Sequence, residues 1–117
     1  MRVVVKAVNL AIDARTRGEV AHRIEGALAR CAGSVLRVAV RVADRNGPRG
    51  GVDIACSVEV RLRRSGTVYV EETDVDLAGA VGRAGETAAR SVIRVLERAR
   101  DLRRRGAVRA AYGTSEA

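Results

Sequence analysis

Two alternating segments joined by a breaker-rich loop constrain this chain most. From 35 to 43, Leu36, Val38, Val40 and Val42 fall on one side and Arg37, Ala39 and Arg41 on the other. From 52 to 63, Ile54, Cys56, Val58, Val60 and Leu62 alternate with Asp53, Ala55, Ser57, Glu59 and Arg61. A period of two puts an apolar row on one face of a strand and a polar row on the other. Between them, Asp44-Arg45-Asn46-Gly47-Pro48-Arg49-Gly50-Gly51 is the strongest loop signal in the chain. The pattern predicts an antiparallel pair with one buried face, and something else must cover that face.

The flanking sequence supplies the cover. Residues 2–8, Arg-Val-Val-Val-Lys-Ala-Val, form a β-branched run with apolar residues on both faces, which predicts a central strand. Asp13 is placed to cap a helix over 14–31, whose stripe is Val20, Ile24, Ala27, Leu28 and Cys31. Gly33 sits where its C-cap is expected. After an Arg64-Ser65-Gly66 turn, residues 67–72 read as a strand with Val68 and Val70 inward and Tyr69 and Glu71 outward. Asp76 then caps a long helix over 76–105, striped by Leu77, Val81, Ala84, Ala88, Val92, Val95, Ala99 and Leu102. Gly79, Gly82 and Gly85 each weaken its first turns by roughly 1 kcal/mol relative to Ala. Either that end is fluid or something packs closely against it. The order β-α-β-β-β-α predicts an α+β domain: a four-stranded sheet, its last three strands an antiparallel meander, with both helices on one face. It spans residues 1–105, and 106–117 are expected to be a disordered tail.

Function is bounded first by exclusion. His22 is the single histidine and lies near the edge of the first helix's apolar stripe, next to Arg23. Cys31 and Cys56 have no CxxC spacing, fall at inward positions and read as buried small hydrophobes. Glu71, Glu72, Asp74 and Asp76 are adjacent carboxylates that either recruit a cation or solvate a strand end and complement a helix dipole. Gly47-Pro48-Arg49-Gly50-Gly51 is not a nucleotide-binding P-loop, because it joins two strands; Arg45 and Arg49 there remain able to touch a nucleic-acid backbone. No catalytic centre, metal, cofactor, small-molecule substrate or membrane span is expected, and scattered cysteines suit a reducing cytoplasm.

Charge points to the partner. The net charge is +8, and every basic residue but Lys6 is Arg. GC-rich coding also produces Arg in place of Lys, so the excess of charge carries the inference rather than the ratio. A small protein this basic attracts polyanions, and guanidinium groups can hold two phosphate oxygens at once. Arg90 and Arg94 each lie within about 20° of Arg83 on one helix face, Arg98 continues it, and Arg23 and Arg30 add charge from the first helix. Arg37 and Arg41 occupy the polar row of their strand, on a sheet face from which Lys6, Arg61 and Tyr69 of the other strands are also expected to project. Arg103, Arg104 and Arg105 suit a helix C-terminus for dipole reasons alone. Without Phe or Trp there is no stacking platform for single-stranded bases, so backbone and shape contacts are expected.

Three segments carry a family resemblance: Asn9-Leu10-Ala11-Ile12-Asp13, Asn46-Gly47-Pro48-Arg49-Gly50-Gly51-Val52-Asp53, and Asp74-Val75-Asp76-Leu77-Ala78-Gly79-Ala80-Val81. With the element order, they make residues 1–105 resemble the ribosome hibernation-promoting factor and ribosome-associated inhibitor family in its short stand-alone form. The resemblance implies a double-stranded-RNA-binding-like fold. It implies seating in the small ribosomal subunit, contact of basic helix faces with ribosomal RNA, and inhibition of translation in stressed or stationary cells. Arg90 matches a family basic residue. Ala78, Gly82 and Thr87 depart from the family's Tyr, Asp and Lys and thin the inherited contact surface. The long form's C-terminal dimerisation domain is absent from these residues. A generic structured-RNA-binding module and a non-RNA partner-binding domain remain alternative readings of the charge.

Overall fold

A computed structural model describes residues 1–45 and 53–111. The elements are β1 (Arg2–Val8), α1 (Ala14–Ala27), a 3-10 segment (Ala29–Ser34), β2 (Val35–Asp44), β3 (Ile54–Leu62), β4 (Thr67–Asp74) and α2 (Leu77–Ala111). The sheet order is β1-β2-β3-β4, with β1 parallel to β2 and the remaining pairs antiparallel. Both helices cover one face, α1 over β1 and α2 over β3 and β4. This is the predicted α+β architecture.

Local chemistry sets the boundaries. Asn9 adopts φ 56 as the chain leaves β1, a left-handed conformation that Asn tolerates better than most side chains. Asp13 then caps α1, its Oδ1 accepting from the Thr16 amide at 2.8 Å. That bond holds the Asp13 carboxyl below the usual carboxylate range. Asp76 performs the same task for α2, accepting from the Gly79 amide at 2.7 Å. The turn between β3 and β4 closes with the Leu62 amide donating to the Gly66 carbonyl at 2.8 Å, and Gly66 supplies φ +86.

The core lies between the helices and the sheet. Ile24, Leu28, Val35, Val38, Val40, Val42, Val58, Val60, Val81 and Val92 are its largest fully buried side chains besides Cys56. Burying each branched residue contributes about 1.5–3 kcal/mol, which is how a chain without Phe or Trp builds a stable interior. Cys31 and Cys56 are buried free thiols, as expected. Burial raises both, and pushes Cys56 up to about 12.

Several boundaries differ from expectation. β1 is an edge strand, not a central one, because the meander occupies the other side of β2; Val4 on its open face is 48% exposed. Helix α1 ends at Ala27 with Leu28 as its C-cap, and the chain tightens into the 3-10 segment, so Gly33 does not cap it. A register shift between Val35 and Arg37 swaps the phase at the start of β2: Val35 is buried and Leu36 is 47% exposed. α2 continues past 105 to Ala111, and residues 112–117 lie outside the described residues. Leu102, expected on the buried stripe, is 60% exposed on that helix. Residues 46–52 of the Gly/Pro loop, Arg49 among them, also lie outside the described residues.

Candidate nucleic-acid interface

The sheet's uncovered face is built by register. Partners across a sheet point to the same side. Arg2, Arg37 and Arg61 are consecutive partners on β1, β2 and β3, and Thr67 on β4 ends the row. The next row outward from them reads Val4, Ala39, Glu59, Tyr69, and the following one Lys6, Arg41, Ser57, Glu71. All five cations in these rows are exposed. The carboxylates here are Glu59 and Glu71, and Glu71 is already engaged. It pairs with the Arg45 guanidinium and accepts from the Tyr69 hydroxyl at 3.1 Å. Arg45 is therefore tied to the sheet instead of projecting from the loop tip. A shallow pocket of about 230 Å³ lies between Arg41, Arg45, Ala55, Ser57, Tyr69 and Glu71.

The helix side is assembled differently. α1 and α2 approach closely because α2 presents glycine to α1. A Cβ at Gly85 would lie 3.1 Å from that of Ala27, and one at Gly82 would lie 2.7 Å from an Arg23 guanidinium nitrogen. The three glycines thus serve close packing: Gly79 lies against the Asp74 carboxyl in the same way. Arg23 lies across Gly82 in a groove of about 460 Å³ that it shares with Arg83, Asp74 and Glu86. Further along, Glu72 of β4 accepts from the Thr87 hydroxyl at 2.9 Å and lies 3.9 Å from Arg83. Arg90 donates to the same hydroxyl at 3.3 Å. Arg94 and Arg98 follow at successive turns and are exposed, as is Arg30 on the 3-10 segment.

The eight residues singled out in the sequence therefore divide between two faces. Arg23, Arg83 and Arg90 come together on the helix side, Arg94, Arg98 and Arg30 extend it, and Arg37 and Arg41 lie on the opposite face. Arg2 and Arg61 complete the Arg37 row; alternation had already put Arg61 on this face, whereas Arg2 was not singled out. The signal that sets all three side by side is the pairing register, which joins residues far apart in sequence. Gly82 and Thr87, departures from the family pattern, also acquire roles: one leaves room for Arg23, the other ties Glu72 to Arg90.

Among the described residues, no group of three or more His, Cys, Asp or Glu side chains is placed to hold a metal ion, and His22 is exposed on α1. No helix among them is long and apolar enough to cross a membrane.

This fold has solved counterparts. The structure is similar to the crystal structure of the Thermus thermophilus Protein Y N-terminal domain, with a TM-score of 0.62 and 28% identity over 80% of this chain and 98% of that one. The chain has the fold of the Protein Y N-terminal domain. A ribosomal subunit interface protein from Coxiella burnetii shares it at a TM-score of 0.63, with 13% identity over 80% of this chain and 96% of that one. Both neighbours are consistent with the hibernation-factor resemblance of the sequence. No family model matches the sequence, and neither does any curated protein.

Proposed function

We propose that this protein binds small-subunit ribosomal RNA in the cytoplasm and inhibits translation in stressed or stationary cells, as a binding protein without catalysis or cofactor. The observation that carries the reading is the same-sign row Arg2–Arg37–Arg61 on a fold shared with the Protein Y N-terminal domain. Like charges directly opposite one another destabilise a sheet. A polyanion laid over them removes that cost and releases its own counterions, so binding weakens steeply as salt rises. The helix side adds Arg23, Arg83, Arg90 and Arg94 as a second set of phosphate contacts, and the two faces grip RNA from opposite sides of the domain.

Cosedimentation with purified small ribosomal subunits across a salt series tests this. The protein is expected to pellet at low salt and to be released progressively as salt rises. Charge reversal on the helix side (Arg83→Glu, Arg90→Glu and Arg94→Glu together) or on the sheet face (Arg37→Glu with Arg41→Glu) should leave it in the supernatant. Failure to pellet at low salt overturns the reading. Equal competition by arbitrary duplex RNA points instead to a general RNA-binding module, and pelleting unchanged by both reversals points to a partner recognised without the charge.

A further inference from the structure

A third concentration of positive charge lies at the end of the domain, away from both faces. The β3–β4 turn, the end of the 3-10 segment and α2 enclose an open cleft of about 350 Å³. Its walls are Arg63 and Arg64 from the turn, Arg103 from α2, and the half-buried Ser34 and Ser65, with Leu96 at its side. Among the described residues no carboxylate lines it, in contrast to the α1–α2 groove, where Asp74 and Glu86 accompany Arg23 and Arg83. None of these three arginines is in an ion pair with a described carboxylate. The turn is anchored: the Arg63 amide donates to the Ser34 carbonyl at 3.0 Å and its Nε to the Gly33 carbonyl at 3.1 Å. Arg63 thus spends one donor on the fold and keeps its remaining guanidinium donors.

The helix dipole does not explain Arg103. α2 runs on to Ala111, about two turns beyond it, and the favourable effect of a cation fades within the last turn. We propose that this cleft is a phosphate-binding site that takes a diphosphate group. Three guanidinium groups and two hydroxyls match the charge and the acceptor-rich surface of a diphosphate. Among the described residues no aromatic ring lines the cleft to stack a base, so the diphosphate itself is recognised, whatever it is attached to.

Titration calorimetry of the full chain with inorganic pyrophosphate tests this, with sulfate as the competing anion. Saturable binding is expected, tighter for pyrophosphate than for sulfate. Arg64→Gln and Arg103→Gln are both exposed positions, and each should weaken it about tenfold, the loss of one charge-assisted hydrogen bond. Arg105→Gln removes the same charge about 200° around the helix and should leave binding unchanged. Arg63 is left intact because it anchors the turn. Absence of pyrophosphate binding overturns the proposal, as does an equal loss in Arg105→Gln, which would mark a response to net charge. A third outcome also overturns it: the Arg64→Gln/Arg103→Gln double variant releasing small subunits while the parent ignores pyrophosphate. That result would assign the cleft to the RNA surface.

Discussion

On the open face of the sheet, Arg2, Arg37 and Arg61 stand side by side with no carboxylate in their row. On the helix side, Arg83 and Glu72 face one another, Arg90 donates to Thr87, and Thr87 in turn holds Glu72. Both regions are basic, yet the first keeps its guanidinium donors for a partner while the second spends part of them within the fold. Counting charges along a helix ranks the helix side first. Counting what each cation already touches ranks the sheet face at least equal, because surface charge matters for binding only so far as it is not already satisfied at home.

The largest effect should come from the core the two faces share. Leu28→Ala empties a fully buried position between helix and sheet and should cost about 2–5 kcal/mol, visible as a lower midpoint in urea. RNA binding should then fail on both faces together as the protein unfolds. A variant that unfolds the helix layer while the sheet still binds RNA would show that the faces are independent.

Alkaline pH tests the same core. Burial pushes the Cys56 thiol from its ordinary value near 9 up to about 12. A raised folded value means that the folded state keeps its proton while the unfolded chain loses it. The contribution is therefore complete below about pH 9 and is lost as pH rises toward 12. The urea midpoint should fall across that window, and both thiols should resist alkylation at pH 8 until the protein unfolds. Rapid modification of the native protein would contradict the buried placement.

Neutralising single faces should give intermediate effects that sharpen the contrast. Arg37→Gln, Arg41→Gln and Arg61→Gln together should reduce the slope of log affinity against log salt by about 2–3, at roughly 0.7–0.9 for each phosphate contact. The matching helix-side set, Arg83→Gln, Arg90→Gln and Arg94→Gln, should reduce it by less, since two of its members are partly engaged. A helix-side loss larger than the sheet-side loss would reverse the ranking. The smallest effect should have the opposite sign. Glu72→Gln removes the charge facing Arg83 and should raise RNA affinity severalfold, measured by filter binding at fixed salt; unchanged affinity would mean that Arg83 makes no contact with RNA.

Much of the fold was legible because its signals are local. Alternation in β3 named Ile54, Cys56, Val58, Val60 and Leu62 correctly as buried, and Asp13 and Asp76 cap their helices as their positions implied. Leu36 was misplaced because a register shift is a property of two strands, not one. β1 was misplaced because its apolar residues on both faces do not tell a central strand from an edge strand. Arg45 belonged to a loop by sequence, and its ion pair with Glu71 needed the β2–β3–β4 meander to bring the two together.

The sequence by itself determined the element order, the buried rows, the excess of positive charge and the scarcity of groups for catalysis. Periodicity, capping and composition are short-range or additive properties, and they survive without knowledge of what packs on what. Only the tertiary structure decided which cations gather and which are neutralised. It placed Arg2 beside Arg37 and Arg61, laid Arg23 over Gly82, set Glu72 against Arg83, and left Arg63, Arg64 and Arg103 around a cleft with no acid among its described residues. Electrostatic pairing depends on distances of a few ångströms between residues far apart along the chain, and strand register with helix packing sets those distances.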